Sequence, residues 1–116
     1  MPLAGQWDFE LNQGTDYTEP MLWSIGGSPV PMAGFSAKMQ LKNSANSTEV
    51  VAEFNTLDSS ITLNATTGVI TFHKTPKQTS AIPAGVYLYD LKITDAAGVL
   101  SRLLEGKFTV NAEVTV

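Results

Sequence analysis

Apolar and polar side chains alternate from the start of this 116-residue chain, which is the period of a strand buried on one face. The alternation predicts strands over residues 6–11 and 17–25, and it places these residues on their buried side: Trp7, Phe9, Leu11, Tyr17, Met21, Trp23 and Ile25. Pro20 cannot donate a hydrogen bond to a neighbouring strand. We therefore expect the second strand to lie at a sheet edge or to be bulged at Pro20.

Three further strand signals follow the turn-rich stretch 26–34. The first, over residues 35–42, is the clearest, since it sets Lys38 and Lys42 in water. The second, over residues 49–54, follows a polar loop. Together they predict these inward residues: Phe35, Ala37, Met39, Leu41, Val50, Ala52 and Phe54. The third signal is a hairpin from Ser60 to Lys74 that turns at 65–68. Residues 75–84 contain two prolines and are predicted to be a connection with room for one helical turn.

Residues 85–110 predict a long β-hairpin around which the other segments pack. Its first strand turns Tyr87, Tyr89, Leu91 and Ile93 to one face, and residues 95–98 suit a type I turn with Gly98 in the left-handed conformation. The apolar phase of the return strand shifts near Glu105-Gly106, which favours a β-bulge there. The alternative is a strand buried on both faces at Leu103-Leu104.

The start of this hairpin resembles the tyrosine corner of immunoglobulin-like sandwiches, because Gly85-x-Tyr87 follows a proline-containing connection. That resemblance implies that the Tyr87 hydroxyl bonds back to residues 75–84. A tyrosine that packs in the core with its hydroxyl at the rim is the alternative.

About eight short strands, with no segment at helical spacing, predict an all-β fold. We expect an immunoglobulin-like antiparallel β-sandwich of about seven to nine strands, formed as a single domain by residues 1–116.

Composition excludes several classes of function. The chain has no cysteine, so it has no disulfide, thiol nucleophile or cysteine-based zinc site. Its net charge of −4 is spread without a basic run, and we expect no nucleic-acid partner. No apolar run reaches the roughly 18 residues of a membrane span, and the first residues lack the order of a signal peptide. We expect no membrane association and synthesis in the cytoplasm.

The candidate catalytic and metal-binding residues are isolated from one another in the sequence. His73 is the sole histidine and has no nucleophile motif beside it, so we expect it at the surface or rim. Asp90 and Asp95 are expected to be solvated charges or turn caps, and the acidic spacing around Asp58 is too sparse for calcium. We therefore expect no catalytic, cofactor-binding or metal-binding residues, and no enzymatic activity. Trp7, Tyr17 and Trp23 could form a sugar-binding platform, but their phase favours core packing.

One family resemblance extends over nearly the whole chain. The stretch AGVYLYDLKITDAAGVLSRLLEGKFTV, at residues 84–110, resembles a pattern of small phage and prophage structural proteins, and it is similar to the N-terminal sandwich domain of phage baseplate upper proteins. The long downstream part of the baseplate proteins has no counterpart before Val116.

The resemblance implies a non-catalytic virion protein of the tail, baseplate, fibre, neck or capsid. Such a protein would be an adaptor or decoration protein that binds other phage structural proteins or copies of itself. We expect the terminal segments 3–11 and 111–116 to be its attachment elements. A carbohydrate-binding module with exposed aromatics is the alternative function.

Overall fold

The computed structural model describes residues 5–44 and 46–114, and strands dominate that part of the chain. In chain order the strands are β1 (Gly5–Gln6), β2 (Phe9–Asn12), β3 (Tyr17–Leu22), β4 (Ser24–Ile25), β5 (Ser28–Pro29), β6 (Ser36–Lys42), β7 (Ala52–Asn55), β8 (Ile61–Leu63), β9 (Val69–Lys74), β10 (Gly85–Thr94) and β11 (Leu100–Asn111). A short helix, α1 (Pro76–Ser80), lies between β9 and β10.

Most of the strands form a front sheet and a back sheet, and β4 and β5 pair only with each other. The front sheet has the order β1-β11-β10-β6-β7 with β2 also on β11, and the back sheet has the order β3-β9-β8. Residues of both sheets share one core, in which the Phe9 and Phe72 rings lie 5.1 Å apart. The predicted immunoglobulin-like β-sandwich is therefore confirmed, with eight strands of three or more residues among those described.

The N-terminal strands pair in a way that the sequence does not predict. Both β1 and β2 run parallel to β11, in one register that places Gly5 opposite Leu104 and Phe9 opposite Phe108. The pairs β10-β11, β10-β6, β6-β7, β3-β9 and β8-β9 are antiparallel, as expected.

Most residues predicted to point inward are buried or packed against the core. The buried ones include Phe9, Leu11, Tyr17, Met39, Leu41, Phe54 and Leu91. Three predictions are wrong, since Trp7 is 46% exposed, Val50 is 40% exposed and Ile25 is 68% exposed. Trp7 falls in the gap between β1 and β2, Val50 lies two residues before β7 begins, and Ile25 lies on β4, which pairs only with β5.

The central hairpin has the predicted turn. Gly98 has a φ of 87°, and its amide donates to the Asp95 carbonyl at 3.0 Å. The bulge is also present, but its predicted position at Glu105-Gly106 is wrong. Lys92 faces Arg102 while Leu91 faces Leu104, so Leu103 is the extra residue.

The connection between the two sheets contains the expected helical turn and the expected tyrosine bond. Thr75 caps α1 by accepting from the Gln78 amide, and the Gln78 side chain accepts from the Thr75 amide. The Tyr87 hydroxyl donates to the Pro83 carbonyl, which confirms the predicted tyrosine corner.

Candidate functional site

The candidate residues His73, Asp58 and Asp95 each bond to a neutral partner and not to one another. His73 is half-buried on β9 with Nδ1 3.2 Å from the Thr18 hydroxyl, and Asp95 caps its own turn by accepting from the Ala97 and Val99 amides at 2.9 Å. Asp58 accepts from the Ser60 amide and hydroxyl, and the pKa of its carboxyl is lowered by those bonds. Across residues 5–44 and 46–114, no group of three or more acidic, histidine or cysteine side chains could hold a metal ion.

The three candidate aromatics do not form a platform. Tyr17 is buried, and Trp23 is partly buried against the Phe35 ring at 6.3 Å. Trp7 alone is exposed, at 46%. The core prediction holds for Tyr17 and in part for Trp23, and it fails for Trp7.

A broad depression lies on the outward side of the front sheet, and we call this surface the front face. Five of the seven basic residues lie on it: Lys38, Lys42, Lys92, Arg102 and Lys107. Because neighbouring strands are in register, outward side chains form rows that cross the strands.

Three rows on the front face differ in charge. In the basic row, Lys92 stands opposite Lys38 on one side and Arg102 on the other. In the acidic row, Asp90 stands opposite Gln40 and Glu105, and Gln40 stands opposite Glu53. In the third row, Leu88 stands between Lys42 and Lys107.

The carboxylates of the acidic row make ion pairs and hydrogen bonds with other residues of the front face. Arg102 lies 3.4 Å from the Asp90 carboxylate and 3.5 Å from that of Glu105. Hydrogen bonds from Gln40 and Asn55, at 2.8 and 2.7 Å, lower the pKa of Glu53. The four lysines make no ion pair with any described residue.

A second feature is the N-terminal edge of the front sheet, formed by residues 5–12. The Trp7 carbonyl accepts from the buried Tyr89 hydroxyl, and the Trp7 amide donates to the Glu105 carbonyl at 3.1 Å. The Asp8 carboxylate accepts from the Lys107 amide at 3.0 Å. A side chain therefore continues the pairing with β11 in the gap between β1 and β2.

Gly106 allows the backbone of Trp7 to lie close to β11. A Cβ at Gly106 would lie 3.0 Å from the Trp7 carbonyl carbon and closer still to its oxygen. The glycine therefore serves the close passage of the N-terminal segment and not the bulge.

Sequence reasoning missed the role of Lys74, although its signal was present. Lys74 has the same phase on β9 as Ile70 and Phe72, and it is likewise buried, at 9% exposure. Its ammonium donates to the Glu53 carbonyl at 2.6 Å and lies 4.7 Å from the centre of the Phe54 ring. It thus joins the back sheet to β7, and burial lowers its pKa.

No family model and no curated protein matches the chain. Among solved structures, CopC from Methylosinus trichosporium OB3b is 13% identical, with 93% of this chain and 89% of that chain covered and a TM-score of 0.47. The extracellular domain of the voltage-gated sodium channel beta4 subunit, solved as parallel homodimers, is 14% identical with 98% of both chains covered and a TM-score of 0.45. At these scores neither structure bears on function. Among the described residues, no helix is long and apolar enough to cross a membrane.

Proposed function

We propose that the protein is a non-catalytic structural component of a phage virion, and that it acts by binding other virion proteins. The proposal rests on the resemblance carried by residues 84–110. The observation on the molecule that supports it best is the N-terminal edge of the front sheet.

This edge is suited to pairing with another chain. β2 pairs with β11 on one side, and no described strand lies on its other side. An open edge presents unpaired amides and carbonyls to which a strand of a partner can add. Trp7, half-exposed at the same edge, offers the large aromatic contact that often dominates interface energy.

The predicted C-terminal attachment element lies beside this edge only in part. Asn111 is the last residue of β11, and its side-chain amide donates to the Glu10 and Asn12 side chains at 3.0 Å. Residues 115 and 116 of that element lie outside the described residues.

The proposal is tested by binding to virion components. The tagged protein is co-expressed with the products of its neighbouring genes, and complexes are separated by size-exclusion chromatography. We expect co-elution with a tail, baseplate, neck or capsid protein. Trp7→Ala should weaken that complex, whereas Leu57→Ala, at a side chain that is 97% exposed away from this edge, should not.

Two results would count against the proposal. One is that no virion component or intact particle binds the protein. The other is binding to a glycan array that Trp7→Ala abolishes while the fold stays intact, which would favour a carbohydrate-binding module.

A further inference from the structure

We propose that the front face binds a second copy of this chain, in a two-fold dimer whose axis crosses the strands between the basic and acidic rows. This proposal does not depend on the virion role, because it rests on the order of charges over the front face.

The basic row is costly in a free molecule. Lys38 and Lys92 are direct cross-strand neighbours, and Arg102 stands on the other side of Lys92. Like charges directly opposite one another destabilise a sheet. Arg102 is compensated by Asp90 and Glu105, but neither lysine of the row has a carboxylate within ion-pair distance among the described residues. A partner that brings carboxylates over Lys92 and Arg102 would reduce this cost.

The chain itself carries carboxylates at the required spacing. The acidic row lies two residues along the strands from the basic row, which is about 6.6 Å. A two-fold axis between the rows sets Asp90 of each copy over Lys92 of the other, and Glu105 of each over Arg102 of the other. Every such contact occurs twice, as an isologous interface requires.

The flanking rows add apolar contact to this arrangement, with Lys42 set over Ser36 and Lys107 over Leu100 of the other copy. The same axis sets the row of Leu88 over the row of Thr94, which stands opposite Ser36 and Leu100. Leu88 and Leu100 are 40% and 58% exposed, so the contact would cover apolar surface that is now in water. A two-fold axis along the strands would instead set each row over its own copy, and like charges would then repel.

The size of the face sets the strength of the dimer. Five strands about 4.8 Å apart and nine residues at about 3.3 Å each give at most roughly 700 Å² per copy. Stable complexes bury about 800 Å² per partner, so we expect a weak, salt-sensitive dimer.

The experiment uses paired charge reversals and sedimentation velocity from ~10 μM to ~1 mM protein, a range that covers weak dimers. The acidic variant is Lys92→Glu/Arg102→Glu and the basic variant is Asp90→Lys/Glu105→Lys. We expect the wild type to dimerise and its dissociation constant to rise at least about fivefold between ~0.05 and ~0.5 M salt. Each variant alone should stay monomeric, and an equimolar mixture should form a heterodimer.

A matched control separates position from net charge. Asp16→Lys/Glu49→Lys changes the net charge as the basic variant does, at two exposed residues off the front face, and should leave the dimer intact. Circular dichroism verifies that each variant is folded.

Three results would overturn the proposal: a monomeric wild type up to ~1 mM at low salt, a dimer that both variants retain, or a mixture that fails to associate. None of these results bears on binding at the Trp7 edge, which its own variant tests.

Discussion

Two buried tyrosine hydroxyls differ in one respect, namely whether a hydrogen-bond partner is present. The Tyr87 hydroxyl donates to Pro83, whereas the Tyr17 hydroxyl has no partner among the described residues. Burial raises the pKa of Tyr17, and the Glu19 carboxylate adds to that effect.

We therefore expect opposite results from the same chemical change. Tyr87→Phe should lower the free energy of unfolding by about 1 kcal/mol, the usual net value of one hydrogen bond. Tyr17→Phe should leave it unchanged or raise it, because it removes an unsatisfied polar atom. Urea denaturation measures both, and equal losses would contradict this account of the tyrosine corner.

Gly106 controls whether the N-terminal segment can lie against β11. Gly106→Ala should displace residues 5–8, with a loss of about 1–3 kcal/mol as for other overpacked sites. Amide hydrogen exchange at Trp7 and Lys107 should accelerate, since the displacement separates the Trp7 amide from the Glu105 carbonyl and the Lys107 amide from the Asp8 carboxylate. The amides between β6 and β7 serve as the internal control, and unchanged exchange at Trp7 would show that the segment tolerates the methyl group.

At the scale of elements, Lys74 links β9 of the back sheet to β7 of the front sheet. Its folded pKa lies below its usual value of 10.5, because burial disfavours the charged ammonium. Between the folded and unfolded pKa values the unfolded chain binds more protons, so a rise in pH favours the folded state.

The pH dependence of Lys74→Met isolates this contribution. We expect the free energy of unfolding of the wild type to rise relative to Lys74→Met as the pH increases through that window towards 10.5. Chemical denaturation at several alkaline pH values measures the difference. A difference that stays constant or falls would contradict the burial of a charged Lys74.

At the scale of the whole molecule, Phe108 packs against aromatic rings from both sheets. It is fully buried and lies 5.4, 5.8 and 6.0 Å from the rings of Phe9, Phe54 and Tyr17, which come from three different strands. Phe108→Ala should cost about 3–5 kcal/mol, a large part of the total stability of a small domain.

Leu57→Ala is the control for that loss, because Leu57 is 97% exposed. Thermal unfolding should show a large fall in the melting temperature for Phe108→Ala and almost none for Leu57→Ala. A small effect at Phe108 would mean that the sheets do not share this core.

The sequence by itself determined the local structure. A period of two residues fixes which side chains share a face, so the inward sets on β6 and β10 could be predicted. Turn chemistry fixed the Asp95–Gly98 reversal, and the prolines and glycine before Tyr87 indicated the tyrosine corner. These features depend on residues close in the chain.

Only the tertiary structure decided which strands are neighbours. β2 meets β11 through pairs 99 residues apart, and no local pattern encodes that register, which exposes Trp7 and explains Gly106. The front face depends on it as well. Alternation sets Lys38 in water and Asp90 on the second face of its strand, and it is the order of strands that sets them in separate rows of like charge.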